Sequence, residues 1–122
     1  MNPETTVRDF CNAVTRCKAA ELIDCFTPDA VYHNIPVEPV RGKEAIQATL
    51  AQFVDIATDA EFEILHLAVA GTTVLTERVD RFTINGKRIE IPVMGAFEVA
   101  ADGKISAWRD YFDMQQFMRQ MG

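Results

Sequence analysis

Thr73-Val74-Leu75-Thr76-Glu77-Arg78-Val79-Asp80-Arg81-Phe82 is the stretch on which the fold turns. Alternate residues of a strand share a face. Val74, Thr76, Arg78, Asp80 and Phe82 fall on one side, and Leu75, Glu77, Val79 and Arg81 on the other. Each side carries charge, and at most one of them can be the solvent side. The same period of two runs through the chain from Glu61 onward. It predicts four strands, at residues 61–70, 73–82, 87–99 and 104–112. Asn85-Gly86 is a strong hairpin signal, because that dipeptide accepts the positive φ angles of a tight turn. Gly71 separates the first two strands, and Asp102-Gly103 marks another turn. Pro92 and Gly95 inside the 87–99 strand predict a bulge or bend there.

Upstream the period is helical. Asn2 is placed to cap a helix with Pro3 at its first position, and Val7, Phe10, Cys11 and Val14 recur at helical spacing. Ala19, Leu22, Ile23 and Phe26 mark a second short helix that stops near Pro28. Residues 30–35 read as a strand ended by Pro36. Residues 42–57 read as a third helix, with Ile46, Leu50, Phe53, Val54 and Ala57 on one stripe. A last helix follows the final strand. Asp113 and Gln116 there fit a capping box, and Phe112 and Phe117 the flanking hydrophobic staple. Helices segregated on one face of a curved, mostly antiparallel sheet make an α+β domain, a single one over residues 1–122. Such a sheet encloses a pocket between the layers, where small ligands bind.

Charge narrows the function. Twelve basic and 18 acidic residues give a net charge of −6, so there is no electrostatic reason to bind nucleic acid or an anionic membrane. No apolar run approaches a membrane span. Met1-Asn2-Pro3-Glu4 lacks the basic head and apolar stretch of a signal peptide. Cys11, Cys17 and Cys25 form no C-x-x-C pair, so the thiols are expected to be free, in a reducing cytoplasm. His33 and His66 stand apart from each other and from other ligand types, so no metal site is expected. His66 shares a face with Phe62 and Ile64 and reads as structural. Arg81, Lys87, Arg88 and Arg109 read as solvated or edge charges. A glycine-rich phosphate loop and a nucleophile elbow are both missing from the sequence.

With the Val74–Phe82 face turned inward, Arg78 and Asp80 are buried together. On the last strand Asp110 shares a face with Ser106, Trp108 and Phe112, between two large aromatics. Buried charges need partners. Arg78, a permanently charged fork of donors, could bond Asp80 on one side and Asp110 on the other. With one proton on the carboxylates the trio is neutral, and two carboxylates sharing a proton are an acid and a base in one site. A structural ion pair at an exposed sheet edge is the other reading of the same pattern. Tyr32 and Asn34 share a strand face with His33 opposite, and a phenol and an amide are suited to fixing a water.

Together, Tyr32-His33-Asn34-Ile35-Pro36, Thr76-Glu77-Arg78-Val79-Asp80 and Trp108-Arg109-Asp110-Tyr111-Phe112-Asp113 resemble the limonene-1,2-epoxide hydrolase family, within the NTF2-like, SnoaL-like fold. The resemblance covers nearly the whole chain. His33 stands where that family often has another polar residue. The resemblance implies that Asp110 is the base holding the attacking water with Tyr32 and Asn34. It implies that Asp80 protonates the epoxide oxygen and that Arg78 bridges the two aspartates. It implies one concerted step without covalent intermediate, metal or organic cofactor, a small apolar epoxide and water as reactants, and a homodimer. Phe53, Phe82, Ile91, Val93, Phe112 and Phe117 are the expected lining of an apolar pocket. Two rival readings stay open. One is an isomerase on the same fold that moves a proton beside a ketone. The other is a ligand-binding or dimerisation module without catalysis.

Overall fold

In the computed structural model, which describes residues 2–122, helices pack over one face of a curved six-stranded sheet. The signal-peptide expectation starts at Met1, which lies outside the described residues. Helix α1 is Pro3–Ala13. Asn2 caps it as expected, its side-chain oxygen accepting from the Glu4 N–H at 2.9 Å. Val7, Phe10, Cys11 and Ala13 form its buried stripe. The second helix is shorter than its periodicity suggests: α2 is Ala19–Leu22, followed by a single 3₁₀ turn, Ile23–Cys25. Phe26 is not helical but opens strand β1, Phe26–Asn34. Pro28 therefore sits within a strand. It falls where the register of β1 slips, between Phe26 and Val31, and such an irregularity tolerates a residue without an N–H.

A two-residue strand β2, Val40–Arg41, precedes α3, Lys43–Ala51. The expected helix to residue 57 ends early. The N–H groups of Phe53 and Val54 still bond to the Leu50 carbonyl, at 3.1 and 2.9 Å, so a turn continues the apolar stripe that looked helical. Ala57 already belongs to β3, Ala57–Ala70. Then come β4, Thr73–Ile84; β5, Lys87–Val99; β6, Ile105–Tyr111; and α4, Met114–Met121. The sheet order is β2-β1-β6-β5-β4-β3, with β1 and β6 parallel and the other pairs antiparallel. Asn85 and Gly86 turn the β4–β5 hairpin with φ of 53° and 76°.

The bulge expected at Pro92 and Gly95 is absent. β4 and β5 pair without a slip from Thr73↔Glu98 to Ile84↔Lys87. Pro92 lies beyond Met94↔Tyr111, the pair that begins the contact of β5 with β6, so β5 has a strand neighbour on one side only there. On β5 the one slip lies at its far end, between Glu98 and Val99 against β6, and the pairing of β3 with β4 has two more. One falls between Ile64, which faces Arg78, and His66, which faces Glu77. The extra residue, Leu65, moves His66 off the face of Phe62 and Ile64. His66 is outside, with Nδ1 2.8 Å from Oε1 of Glu77.

The core centres on Trp108. Tyr32 and Phe97 stack on it at 4.1 and 5.5 Å, and Phe10 of α1 meets it edge-on at 5.0 Å. Helix α4 closes the other end of the sheet's inner face. Asp113 caps it by accepting from Gln115 and Gln116 N–H, and Phe112 and Phe117 pack 6.5 Å apart. Its far end is fastened to β5. The Gln120 side-chain amide accepts from the Glu90 N–H and donates to the Glu90 carbonyl, and Lys87 Nζ donates to the Met121 carbonyl.

Candidate active site

Three strands converge on one spot. β4 carries Thr76, Arg78 and Asp80 on its inner face, β6 carries Trp108 and Asp110, and β1 carries Tyr32 and Asn34 beside them in parallel register. β5 lies between β4 and β6, so Arg78 must cross it to meet Asp110. Gly95 opens the way, because it pairs with Thr76 on one side and Asp110 on the other. A Cβ there would overlap Nη1 of Arg78 and stand 2.7 Å from Oδ1 of Asp110.

All five N–H groups of Arg78 are used. Nε and Nη2 donate to Oδ1 and Oδ2 of Asp80 at 3.0 and 2.8 Å. Nη1 and Nη2 donate to Oδ1 and Oδ2 of Asp110 at 3.1 and 2.8 Å, and Nη1 also reaches Thr76 Oγ1 at 3.2 Å. Arg78 is fully buried, while Asp80 and Asp110 are 5% and 4% exposed. The Phe62 ring lies 4.7 Å from the guanidinium carbon and Phe97 5.8 Å, within cation–π range. The Trp108 indole N–H donates to Asp110 Oδ1 at 2.7 Å. Oδ1 therefore has two donors and Oδ2 one, which leaves Oδ2 the freer oxygen.

Burial pushes the Asp80 carboxyl up to about 6, against the pull of Arg78 and with help from the charge of Asp110. Burial alone would lower Arg78, but the two carboxylates hold it well above its ordinary value. Burial, then the Asp110 charge, raises the Tyr32 hydroxyl, while a hydrogen bond with the Asn34 side chain opposes this. Tyr32 is thus a neutral phenol at the site.

The trio opens onto a cavity of about 310 Å³ with mostly apolar walls. Asp80, Asp110, Tyr32 and Asn34 reach it, while Arg78 lies behind them. Phe53, Phe82, Ile91, Val93, Phe112 and Phe117, the expected lining, are all in its wall. Val37, Thr49, Gln52, Phe62, Ile84, Met114 and Met121 also line it and were not expected from the sequence. Met114, Phe117 and Met121 repeat at three and four residues, so the α4 part was readable as one helical face. Phe62 could be placed only after β3 was in register. Trp108, Thr76 and Gly95 stood in the quoted segments, but their contacts with the trio cross strands. Among the described residues, no three His, Cys, Asp or Glu side chains gather as a cation-holding group.

A buried carboxylate pair on one arginine, under an apolar cavity between helices and a curved sheet, makes a candidate acid–base site for a small molecule. The family model described as the limonene-1,2-epoxide hydrolase catalytic domain matches residues 1–122, and the chain belongs to that family. The epoxide hydrolase EphG of Mycobacterium tuberculosis (strain H37Rv) is 34% identical over 113 residues, which are 93% of this chain and 74% of the relative. A solved LEH-like epoxide hydrolase of M. tuberculosis superposes with a TM-score of 0.81 at 30% identity, covering 96% of this chain and 90% of that one. An NTF2-like protein from Cytophaga hutchinsonii superposes with a TM-score of 0.76 at 14% identity, over 97% and 96% of the two chains. That last likeness is one of fold alone.

Proposed function

We propose that this chain, acting as one domain, adds water to a small apolar epoxide of the limonene oxide kind and releases the vicinal diol. The observation that carries the reading is Arg78 holding Asp80 and Asp110 side by side at the floor of an apolar cavity. Asp80 has the raised proton affinity, so it is the acid. Asp110 accepts three hydrogen bonds and offers Oδ2 as the base. Water held by Tyr32, Asn34 and Asp110 gives a proton to Asp110 while its oxygen attacks a ring carbon. The C–O bond of the ring breaks, and the leaving oxygen takes the proton of Asp80. The net change is one proton moved from Asp80 to Asp110, restored before the next turnover. The family membership and the epoxide hydrolases of M. tuberculosis support the reaction class.

An isomerase would need one free base, and here both carboxylates are bound to Arg78. The outer sheet face carries exposed Leu75, Met94 and Tyr111, with Met94 and Tyr111 paired across strands. This patch supports a homodimer, to be checked by light scattering. Three free thiols agree with a reducing, cytoplasmic setting.

The test is diol formation from limonene oxide and cyclohexene oxide by purified protein. Asp80→Asn and Asp110→Asn are each expected to lower the rate by about 10²–10⁴-fold. Labelled water is expected to enter the diol on the first turnover. Wild-type rates no faster than the uncatalysed reaction over a panel of epoxides would overturn the reading. Label delayed to later turnovers would instead mean attack by a carboxylate of the protein.

A further inference from the structure

We propose that Thr76 is a positioning residue whose hydroxyl, wedged between Arg78 and Gly95, fixes the guanidinium so that both aspartates share its fork. The inference rests on the acid–base reading above. Thr76 is 1% exposed and does not line the cavity. Its Oγ1 accepts from Arg78 Nη1 at 3.2 Å and donates to the Gly95 carbonyl at 3.2 Å. A β-branched side chain is stiff at χ1, so the direction of this hydroxyl is set by the backbone of β4.

The need for such a brace follows from what surrounds the arginine. A guanidinium on a flexible stem, offered two carboxylates, can swing in its own plane toward either one. Four of the five hydrogen bonds of Arg78 go to those carboxylates. The fifth is the one directed at a neutral group on a rigid support. Gly95 completes the seat, since a Cβ there would fall 3.0 Å from Thr76 Oγ1 and overlap Nη1. With the hydroxyl removed, Nη1 loses its anchor. The fork is then free to slide toward Asp80 on its own strand, and Nη2 no longer spans both Oδ2 atoms. Substrate binding does not feel this change, because Thr76 is outside the cavity. Proton transfer does.

The experiment compares Thr76→Val with Thr76→Ser on two readouts. The first is diol formation across pH. The second, independent of activity, is titration of the Asp80 carboxyl carbon by ¹³C NMR. The charged and titratable groups that face Asp80 are Arg78 on β4, Asp110 on β6, Tyr32 on β1 and Cys11 on α1. The Tyr32 hydroxyl and the Cys11 thiol are both pushed up by burial, the latter to about 12, so between pH 5 and 8 Asp80 sets both curves. Thr76→Val is expected to lower kcat about tenfold with KM unchanged, the size of one lost hydrogen bond to a charged group. An Arg78 drawn toward Asp80 opposes its protonation more, so the Asp80 titration and the alkaline limb both move to lower pH. Thr76→Ser restores both to near wild type.

A Val variant with wild-type kcat and an unmoved Asp80 titration overturns the proposal. So does an equal loss in Val and Ser with the titration unmoved, which would be a packing effect. If Thr76→Val does not fold, Thr76→Cys, with sulfur a weak partner for Nη1, is expected to show the same losses and can fail in the same ways. Should the wild type form no diol, the functional reading falls while the NMR titration still decides the role of Thr76.

Discussion

Arg78 and Arg81 lie three residues apart on β4 and point to opposite faces; Arg78 pairs with Asp80 on its own strand and Asp110 two strands away, Arg81 with acids on the two adjoining strands. Arg78 is sealed from solvent with Asp80 and Asp110. Arg81, its side chain 22% exposed, meets Glu61, Glu63 and Glu90 at 3.0, 2.8 and 2.6 Å. By residue type the two clusters are nearly the same. Water separates them. On the outer face solvent screens the charges, and each contact contributes little. On the inner face there is nothing to screen them: the carboxylates share Arg78, and in the proposed reading they also share a proton, as an acid and a base. An ion-pair cluster becomes chemistry by being enclosed.

Four measurements would break or sharpen this contrast. The largest effect is expected from Arg78→Lys, which keeps the charge and loses the fork. Breaking a buried, hydrogen-bonded pair typically costs about 3–5 kcal/mol, so the variant should melt well below wild type and form diol at least about a hundredfold more slowly. Arg81→Lys should leave both properties unchanged, and equal losses from the two variants would erase the distinction. Next is Gly95→Ala. Overpacking typically costs about 1–3 kcal/mol, and the added methyl strikes the trio, so turnover should fall with the melting temperature. Full turnover in this variant would mean that Arg78 does not need the gap it crosses.

The third measurement is pH dependence. The folded protein holds the Asp80 proton up to about 6, from an ordinary value of 3.8. The folded state thus binds more protons than the unfolded one across that window. This contribution to stability is full below the ordinary value and is lost as pH rises through about 6. Denaturant midpoints read from pH 4 to 7 should carry that falling component, and Asp80→Asn should remove it. The value of kcat/KM should fall over the same upper limb as the acid loses its proton. The smallest effect is expected from salt. Raising sodium chloride from about 0.05 to 1 M shortens the screening length to roughly 3 Å. It should weaken the Arg81 cluster and leave diol formation unaltered.

The sheet strands and their inner face were legible because alternation is a local signal and Asn85-Gly86 fixes one hairpin outright. The sequence boundaries of α2 and α3 failed for a physical reason. Phe26, Phe53 and Val54 are apolar at helical spacing but satisfy their burial from a strand and a turn. Pro92 and Gly95 misled in another way. Each carries a strand-breaking signature, yet Pro92 has an unpaired side to occupy and Gly95 serves a crossing arginine. The polar site residues could be placed on faces from the sequence. Trp108 as a donor, Thr76 as a brace and Phe62 over the guanidinium depend on contacts between strands distant in sequence, which no local pattern encodes. The slip at Leu65 shows the same limit, since one added residue sent His66 to the opposite face.

The clasp of Gln120 on Glu90 has a consequence for the chain as a colloid. Past Met94 the rim of β5 has no adjoining strand, and a bare rim of amides and carbonyls invites another polypeptide to zip onto it. The Gln120 amide imitates a peptide unit and stoppers that rim at Glu90. Clipping the protein before Met114 would therefore do more than unroof the cavity. It would leave a sticky border, and such a truncated chain should clump in solution where the intact one stays dispersed.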